Sequence, residues 1–401
     1  KGARARMGAS SSVQISKAEA VIPDLSQTTV AVSAEARGPL AEVLGIVNGS
    51  PLGAMTGQAL GRAVATGIAD YKLKLSLPIA AIDKSTVQGS VTLAGNDIQI
   101  SPDTPKLARS RGVVNFSENG FTIVGGQARM LGGDVRLEGG SSALAAASPA
   151  GSASRAPAAP IAIRASGTVT AEGLRQAREL GFVARMAQQA TGSAAYAAVL
   201  GFRQGEAELT VSSNLQGLAL GLPAPLNKSA DAQLPFRLET ALLRESLLPG
   251  PGGQVRLHDQ LTLDLGRVAS IVYVRDLSGP EPRVTRGSIG VGLSPQESAP
   301  MPDEGVVANI NLSGVDLDTW GSVLSQAAGT SLARAAATAA AAQRTPGATA
   351  ISAASTYLPT SMAIRAQELT VGGRQLHNVV AGGSREGLVW RANVGARELD
   401  G

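Results

Sequence analysis

Alternation of apolar and polar residues, broken by pairs of glycines, constrains this chain more than any other feature. In residues 111–139 the apolar positions come in alternating pairs, Val114/Phe116, Phe121/Ile123 and Val135/Leu137. Successive side chains of a β-strand point to opposite faces, so the pattern predicts strands with one apolar and one polar face. The glycine pairs Gly125–Gly126 and Gly132–Gly133 predict strand ends or kinks.

The apolar residues of this chain are aliphatic rather than aromatic. Only 11 of the 401 residues are Phe, Trp or Tyr, although 44% of the chain is hydrophobic. The alternation recurs through most of the sequence without the large side chains that normally fill the space between two packed sheets. We therefore predict a mainly β fold with inserted α-helices: a long, twisted, mostly antiparallel sheet curled into an open hydrophobic groove.

The order of patterns along the chain predicts many strands with helices inserted at intervals. Residues 1–401 are predicted to form one elongated segment of the groove, with helical insertions at about 38–66, 172–201 and 318–343. Residues 140–160 are rich in Ala, Ser and Pro without an apolar period, so they are predicted to be a disordered-like insertion. Strands follow one another too directly for a βαβ sheet, which favours a meander extended by hairpins.

The residues that would line the groove are those at the apolar positions of the alternation in each predicted strand. For each of them, the sequence leaves open a contact with a covering helix instead. The predicted lining residues are Leu73, Leu75, Leu77, Val91, Leu93, Val114, Phe116, Phe121, Ile123, Val135, Leu137, Leu209, Val211, Leu218, Leu220, Phe236, Leu238, Leu261, Leu263, Leu265, Ile289, Val291, Ile310, Leu312, Ile364, Leu388 and Trp390.

The sequence contains no convincing arrangement of catalytic or metal-binding residues. Cysteine is absent, and the two histidines lie far apart. His258 precedes Asp259 but alternates with Leu261, so it is interpreted as a solvated strand residue, and His377 has no second ligand beside it. Residues 316–318 precede an apolar run and are interpreted as a helix N-cap rather than a pair of catalytic acids. The basic residues are scattered and lack interleaved aromatic residues. We predict no enzyme activity, no cofactor or metal, and no nucleic-acid partner.

Four blocks of the sequence together resemble one known family. The first is PDTPKLARSRGVVNFSENGFTIVGGQARMLGGDVRLEG, and the second is LQGLALGLPAPLNKSADAQLPFRLE. In the second block the family's signature residues are Pro223, Pro225, Leu226, Lys228, Leu234 and Pro235. The later blocks are LSGVDLDTWGSVL and ELTVGGRQLHNVVAGGSREGLVWRANVGARELDG. In this order, the four blocks resemble the YhdP-like proteins of the AsmA-like family. Departures are Asn227, where glycine is commoner, and the insertion at 140–160.

This resemblance implies a bridge-like lipid transfer protein of the Gram-negative envelope. It implies a periplasmic location, with an inner-membrane anchor outside this fragment and a contact with the outer membrane at the far end. The expected cargo is phospholipid, whose acyl chains an aliphatic groove would shield. Two alternatives stay open at this stage: a non-enzymatic envelope scaffold that carries no lipid, and a β-solenoid structural or adhesion protein. A solenoid would require a fixed repeat of about 20–25 residues, which the sequence does not show.

Overall fold

A computed structural model of the chain describes residues 12–22, 29–49, 60–102, 104–141, 161–203, 206–247, 256–279, 281–294, 297, 299–323, 356–387 and 389–399. Strands account for 62% of the structure. The contacts divide the chain into two compact units. Unit 1 comprises residues 1–169 and 197–208, and unit 2 comprises residues 170–196 and 209–401. The sequence had predicted one elongated segment.

In its described residues, unit 1 consists mainly of long strands, with one short helix. Its strands are β1 (Gln14–Val21), β2 (Thr29–Pro39), β3 (Val64–Thr66), β4 (Ile68–Pro78), β5 (Thr86–Gln99), β6 (Leu107–Ser117), β7 (Gly120–Met130), β8 (Gly133–Ser141) and β9 (Ile161–Thr170). Helix α1 (Leu40–Asn48) follows β2 directly, and a 3₁₀ segment (Ile79–Lys84) connects β4 to β5. All strand pairs described within this unit are antiparallel.

Unit 2 begins with two short helices and continues as strands. The helices are α2 (Ala171–Gln176) and α3 (Phe182–Met186), with 3₁₀ turns at Arg178–Leu180, Ala187–Gln189 and Arg244–Leu247. The division between the units falls within β10 (Ala190–Arg203) and β11 (Glu206–Ser213). The other strands are β12 (Leu218–Leu220), β13 (Phe236–Leu242), β14 (His258–Leu265), β15 (Ala269–Asp276), β16 (Arg283–Val291), β17 (Gly305–Asp316), β18 (Ser361–Val371), β19 (Arg374–Glu386) and β20 (Val389–Gly395).

The sheet of unit 2 is mixed, because β17 lies parallel to both β16 and β18. The other described pairs, from β11–β13 to β19–β20, are antiparallel. In both units the extensive strand–strand contacts are between hydrogen-bonded neighbours. The described strands therefore form single layers rather than stacked sheets, and the prediction of a mainly β, mostly antiparallel fold is confirmed.

The helices are shorter than the sequence predicted. Within 38–66, α1 ends at Asn48 and residues 64–66 form β3. Within 172–201, the chain is extended from Ala190 onward and forms β10. The buried Ala190 and Ala194 lie four residues apart, a spacing that fits a helix period and a strand period equally well. Their spacing alone could not distinguish the two structures, and the helix prediction for 190–201 is wrong.

The third predicted helix and the predicted insertion are only partly described. Residues 317–323 are helical, and the rest of 318–343 lies outside the described residues. Of the insertion at 140–160, only residues 140 and 141 are described, at the end of β8. None of the helices in the described parts of the chain is long and apolar enough to span a membrane.

Candidate functional site

All predicted lining residues of unit 1 lie on one face of its sheet. The register places Leu73 of β4 opposite Gly89 of β5, and Gly89 opposite Phe116 of β6. Directly paired residues share a face, so the side chains that belong to one face can be identified from strand to strand. One row across seven strands is Ala36, Tyr71, Val91, Val114, Ile123, Gly139 and Ile163. Leu75, Leu77, Leu93, Phe121, Val135 and Leu137 follow the same phase.

The opposite face of unit 1 is mainly polar. Lys17, Glu35, Lys72, Ser90 and Asn115 form a continuous row across β1, β2, β4, β5 and β6. Lys17, Lys72 and Asn115 are exposed, whereas Leu73, Leu75 and Phe116 are half-buried. The sheet thus separates a hydrated face from an aliphatic face, as the alternation predicted.

Helix α1 covers one end of the apolar face in unit 1. Leu40 of the helix packs with Ala65 and Ala69, which are 4% and 1% exposed, and Val91 and Leu93 pack against this cluster. These two predicted lining residues therefore belong to a core under a helix. Val135 is also core, at 2% exposure. The half-buried Leu73, Leu75, Leu77, Phe116, Phe121 and Ile123 form the more accessible part of the face.

In unit 2, apolar side chains form two continuous rows that cross the strands at right angles. We call them the inner rows. The first contains Val211, Leu238, Leu263, Ile271, Ile289, Ala308 and Met362. The second contains Phe236, Leu265, Ala269, Val291, Ile310, Ile364, Ala381 and Val394. Most of these side chains are half-buried, so the rows present accessible aliphatic surface.

The remaining predicted residues of unit 2 are distributed around these rows. Leu209, Leu261 and Leu312 share the same face at neighbouring positions, and Trp390 continues that phase on β20 with 39% exposure. Leu218 and Leu220 lie on β12, which pairs with β10, and Leu218 is core at 3% exposure. Leu388 lies outside the described residues. The structure thus brings most of the predicted residues onto shared faces.

Sequence reasoning missed a buried ion pair on the apolar face of unit 2. Asp259 lies on the same face of the sheet as Leu261 and Leu263. On the next strand, Arg275 lies on the same face as Tyr273. Arg275 donates to both carboxylate oxygens of Asp259, from Nε to Oδ1 at 2.9 Å and from Nη2 to Oδ2 at 2.5 Å. The side chains are only 14% and 7% exposed. The available signal for this pair was a charged residue at an apolar position of the alternation in each of two adjacent strands.

The LPAPLNK signature builds a hydrogen-bonded loop in unit 2. The Lys228 ammonium is buried and donates to the carbonyl oxygens of Leu218 at 2.7 Å and Ser229 at 2.9 Å, and desolvation lowers its pKa. Trp320 Nε1 donates to the carbonyl oxygen of Ala224 at 2.8 Å. The signature therefore has a structural role, which attaches this loop to the helix at residues 317–323.

Neither histidine belongs to a cluster of potential ligands. His258 begins β14, with the side-chain phase opposite to Leu261, and its Nδ1 lies 3.1 Å from the Arg256 carbonyl oxygen. Nδ1 of His377 lies 2.6 Å from Oε1 of Glu398. Within the described residues no three His, Cys, Asp or Glu side chains are grouped so as to hold a metal. Asp316 caps the helix at 317–323, as predicted, by accepting from the backbone N–H groups of Asp318 and Thr319.

The geometry defines a class of mainly β proteins whose single-layered sheets carry a continuous aliphatic face and a polar face. This chain belongs to the YhdP family, because the model of that family, described as YhdP protein, matches residues 3–401. No curated protein and no solved structure matches the chain significantly. The family match agrees with the resemblance carried by the four sequence blocks.

Proposed function

We propose that this chain carries phospholipids by shielding their acyl chains on the apolar faces of its two units. The observation that carries the proposal is the pair of inner rows in unit 2. They extend across consecutive strands without a polar side chain, and no second sheet packs on them in the described structure. A continuous, partly exposed aliphatic surface of this kind requires a cover in water.

The energetics favour an acyl chain as that cover. Transfer of a CH₂ group out of water stabilises by about 0.8 kcal/mol, so a 16-carbon tail gains on the order of 12 kcal/mol. A pocket for one defined small molecule would combine apolar walls with a few convergent polar groups. The inner rows lack such groups and are built mainly from Leu, Ile, Val and Ala, with Met362 and Phe236 at their ends, so they give similar apolar contacts along their length. A surface of this kind suits a mobile apolar chain better than a fixed ligand.

Membership of the YhdP family supports the biological setting of this proposal. The AsmA-like proteins that this family resembles are envelope lipid-transfer proteins. We propose that this chain works in the periplasm as part of a bridge between the inner and outer membranes, anchored to the inner membrane in the full-length protein. The partner in this reading is the phospholipid itself, and no side chain performs chemistry.

Binding of a tail-labelled fluorescent phospholipid to the purified chain tests the proposal. In Leu263→Lys an ammonium replaces an apolar side chain in the centre of an inner row, where it is poorly solvated. We expect this variant to bind the labelled lipid several-fold more weakly than the wild type. Mass spectrometry of lipids that co-purify with each protein gives an independent readout.

Thr262→Lys is the matched control, because Thr262 is the next residue on β14 and lies on the polar face opposite Glu239. This variant should bind lipid as the wild type does, and both variants should keep the circular dichroism of folded β structure. Equal lipid binding by the two variants would contradict the proposal. So would the absence of lipid from the wild-type protein, which would favour a scaffold.

A further inference from the structure

One edge of the apolar face in unit 2 ends in a row that differs from the inner rows. Leu242, Asp259, Arg275 and Val284 lie opposite one another at the ends of β13 to β16, and we call them the edge row. The bidentate ion pair stands in the middle of this row. Next to the edge row lies the row of Thr240, Leu261 and Tyr273, and beyond it lie the inner rows, whose side chains are all apolar.

A short segment, residues 356–360, lies along this edge, and we call it the strap. Tyr273 Oη donates to the carbonyl oxygen of Tyr357 at 2.9 Å, and their rings meet edge to face with centroids 5.2 Å apart. Burial raises the pKa of Tyr273 to about 12, which further disfavours loss of the proton that it donates. Arg275 Nη1 also approaches the Tyr357 hydroxyl, at 3.5 Å.

Further hydrogen bonds attach the strap to the ends of β16, β17 and β19. The backbone N–H of Val284 donates to Thr356 Oγ1 at 3.2 Å, and Thr360 exchanges bonds with Val306, from N to O at 2.8 Å and from Val306 N to Thr360 Oγ1 at 3.0 Å. Arg385 Nε donates to the carbonyl oxygen of Pro359 at 2.8 Å. The strap is therefore a fixed part of the edge.

The edge row and the strap are poor neighbours for an acyl chain. Asp259 and Arg275 retain a small contact with water, at 7% and 14% exposure, in addition to their mutual hydrogen bonds. A hydrocarbon chain placed over them would remove that water and offer no hydrogen bond in return, which is unfavourable. Apolar side chains at this edge are nevertheless accessible, since Val284 is half-buried, like Leu263, and Leu358 is 44% exposed.

We propose that Asp259 and Arg275, together with the strap, form a polar boundary that confines acyl chains to the inner rows of unit 2. This inference rests on the proposed function and deepens it, because it assigns which accessible apolar side chains a lipid contacts. Accessibility alone would allow contact at Val284 and Leu358. The boundary predicts that neither is contacted, although Leu263 and Ile289 are.

A phospholipid with a diazirine in its acyl chain can map these contacts on the unmodified chain. After loading and irradiation, mass spectrometry of peptides should locate adducts on the inner rows, at residues such as Leu263 and Ile289. Val284 and Leu358 should carry at least tenfold less adduct. A water-soluble diazirine should label Val284 and Leu358 readily, which shows that their absence from the lipid map is not caused by occlusion.

The double variant Asp259→Leu/Arg275→Met removes both charges and keeps apolar side chains of similar size. We expect lipid adducts to extend to Val284 and Leu358 in this variant. The control is Arg237→Met/Glu239→Leu, which removes the exposed ion pair on the opposite face, where Nη2 and Oε2 are 2.7 Å apart. Its adduct map should match the wild type.

The outcomes separate this inference from the proposed function. Equal adduct yields on the inner rows and at Val284 and Leu358 of the wild type would overturn the boundary and leave lipid carriage supported. Absence of adducts from the inner rows would overturn both. If the double variant fails to fold, the wild-type map alone decides between these outcomes.

Discussion

The ring of Phe116 lies against Gly89 on the neighbouring strand of unit 1, and the two residues are direct partners across β5 and β6. A Cβ on Gly89 would overlap the tip of this ring and the carbonyl oxygen of Lys72. In unit 2, Tyr273 has the same relationship with Gly287. A ring that covers a neighbouring glycine shields its backbone from water and fixes the strand pairing. Each unit thus places an aromatic residue on its apolar face, where the ring occupies the space left by the missing side chain of the neighbouring glycine.

This arrangement predicts a cost for the smallest possible side chain at Gly89. Gly89→Ala should destabilise unit 1 by about 1–3 kcal/mol, because the methyl group forces the Phe116 ring or the β4 backbone to move. Urea denaturation measures the change. Gly382→Ala is the control, since a Cβ there has no neighbour within 4 Å, and it should leave stability unchanged or raise it by about 0.4–1 kcal/mol. Similar losses in both variants would contradict the packing argument.

The Asp259–Arg275 pair should behave as a unit in stability measurements. Asp259→Leu or Arg275→Met alone leaves one buried charge without its partner, and each should cost about 3–5 kcal/mol. The double variant should lie within about 1 kcal/mol of the wild type, because apolar residues often replace a buried pair without loss. A thermodynamic cycle from guanidinium unfolding of the four proteins measures the coupling. Additive losses would show that the two side chains act independently.

Lys228→Met should loosen the loop that contains the LPAPLNK sequence. The carbonyl oxygens of Leu218 and Ser229 lose their charged donor, at a cost of about 1–3 kcal/mol. Leu220 and Lys228 are paired through their backbone N–H groups, so hydrogen exchange at these two amides should accelerate and report the change locally. Lys74→Met makes the same substitution at an exposed site in unit 1 and should leave those two amides unaffected. Unchanged exchange in Lys228→Met would show that the ammonium does not hold the loop.

The cap at Asp316 should make the helix at 317–323 sensitive to acid. Hydrogen bonds from the Thr319 hydroxyl, and then from the Thr319 backbone N–H, lower the pKa of the Asp316 carboxyl from 3.8. A lowered pKa in the folded state means that the stabilisation is complete above pH 3.8 and is lost as pH falls through the lowered pKa. Protection factors of the helix amides should be lower in Asp316→Asn at neutral pH and should converge with the wild type in strong acid. A difference that does not vary with pH would contradict the role of the carboxylate.

Alternation along the sequence was sufficient to assign the side chains of each strand to one face or the other. It was not sufficient to predict which strands pair and which residues become neighbours across them. Each strand's phase follows from its own residues, and the structure keeps Leu73, Phe116 and Leu263 on the apolar faces predicted for them. The buried pair was missed because the phases of two strands must be compared before Asp259 and Arg275 are seen as neighbours. The parallel pairing of β16, β17 and β18 depends on the connections between them rather than on their patterns.

The direction of the inner rows has a consequence for how this sequence can change during evolution. Each strand contributes separately to a row, and neighbouring members of a row such as Ala308 and Met362 come from residues far apart in the sequence. Deletion of one residue within a strand would exchange its apolar and polar side chains and place a polar gap across the whole path. Insertions and deletions among relatives should therefore concentrate in the hairpin turns. Strand lengths should vary less than the residues that occupy them.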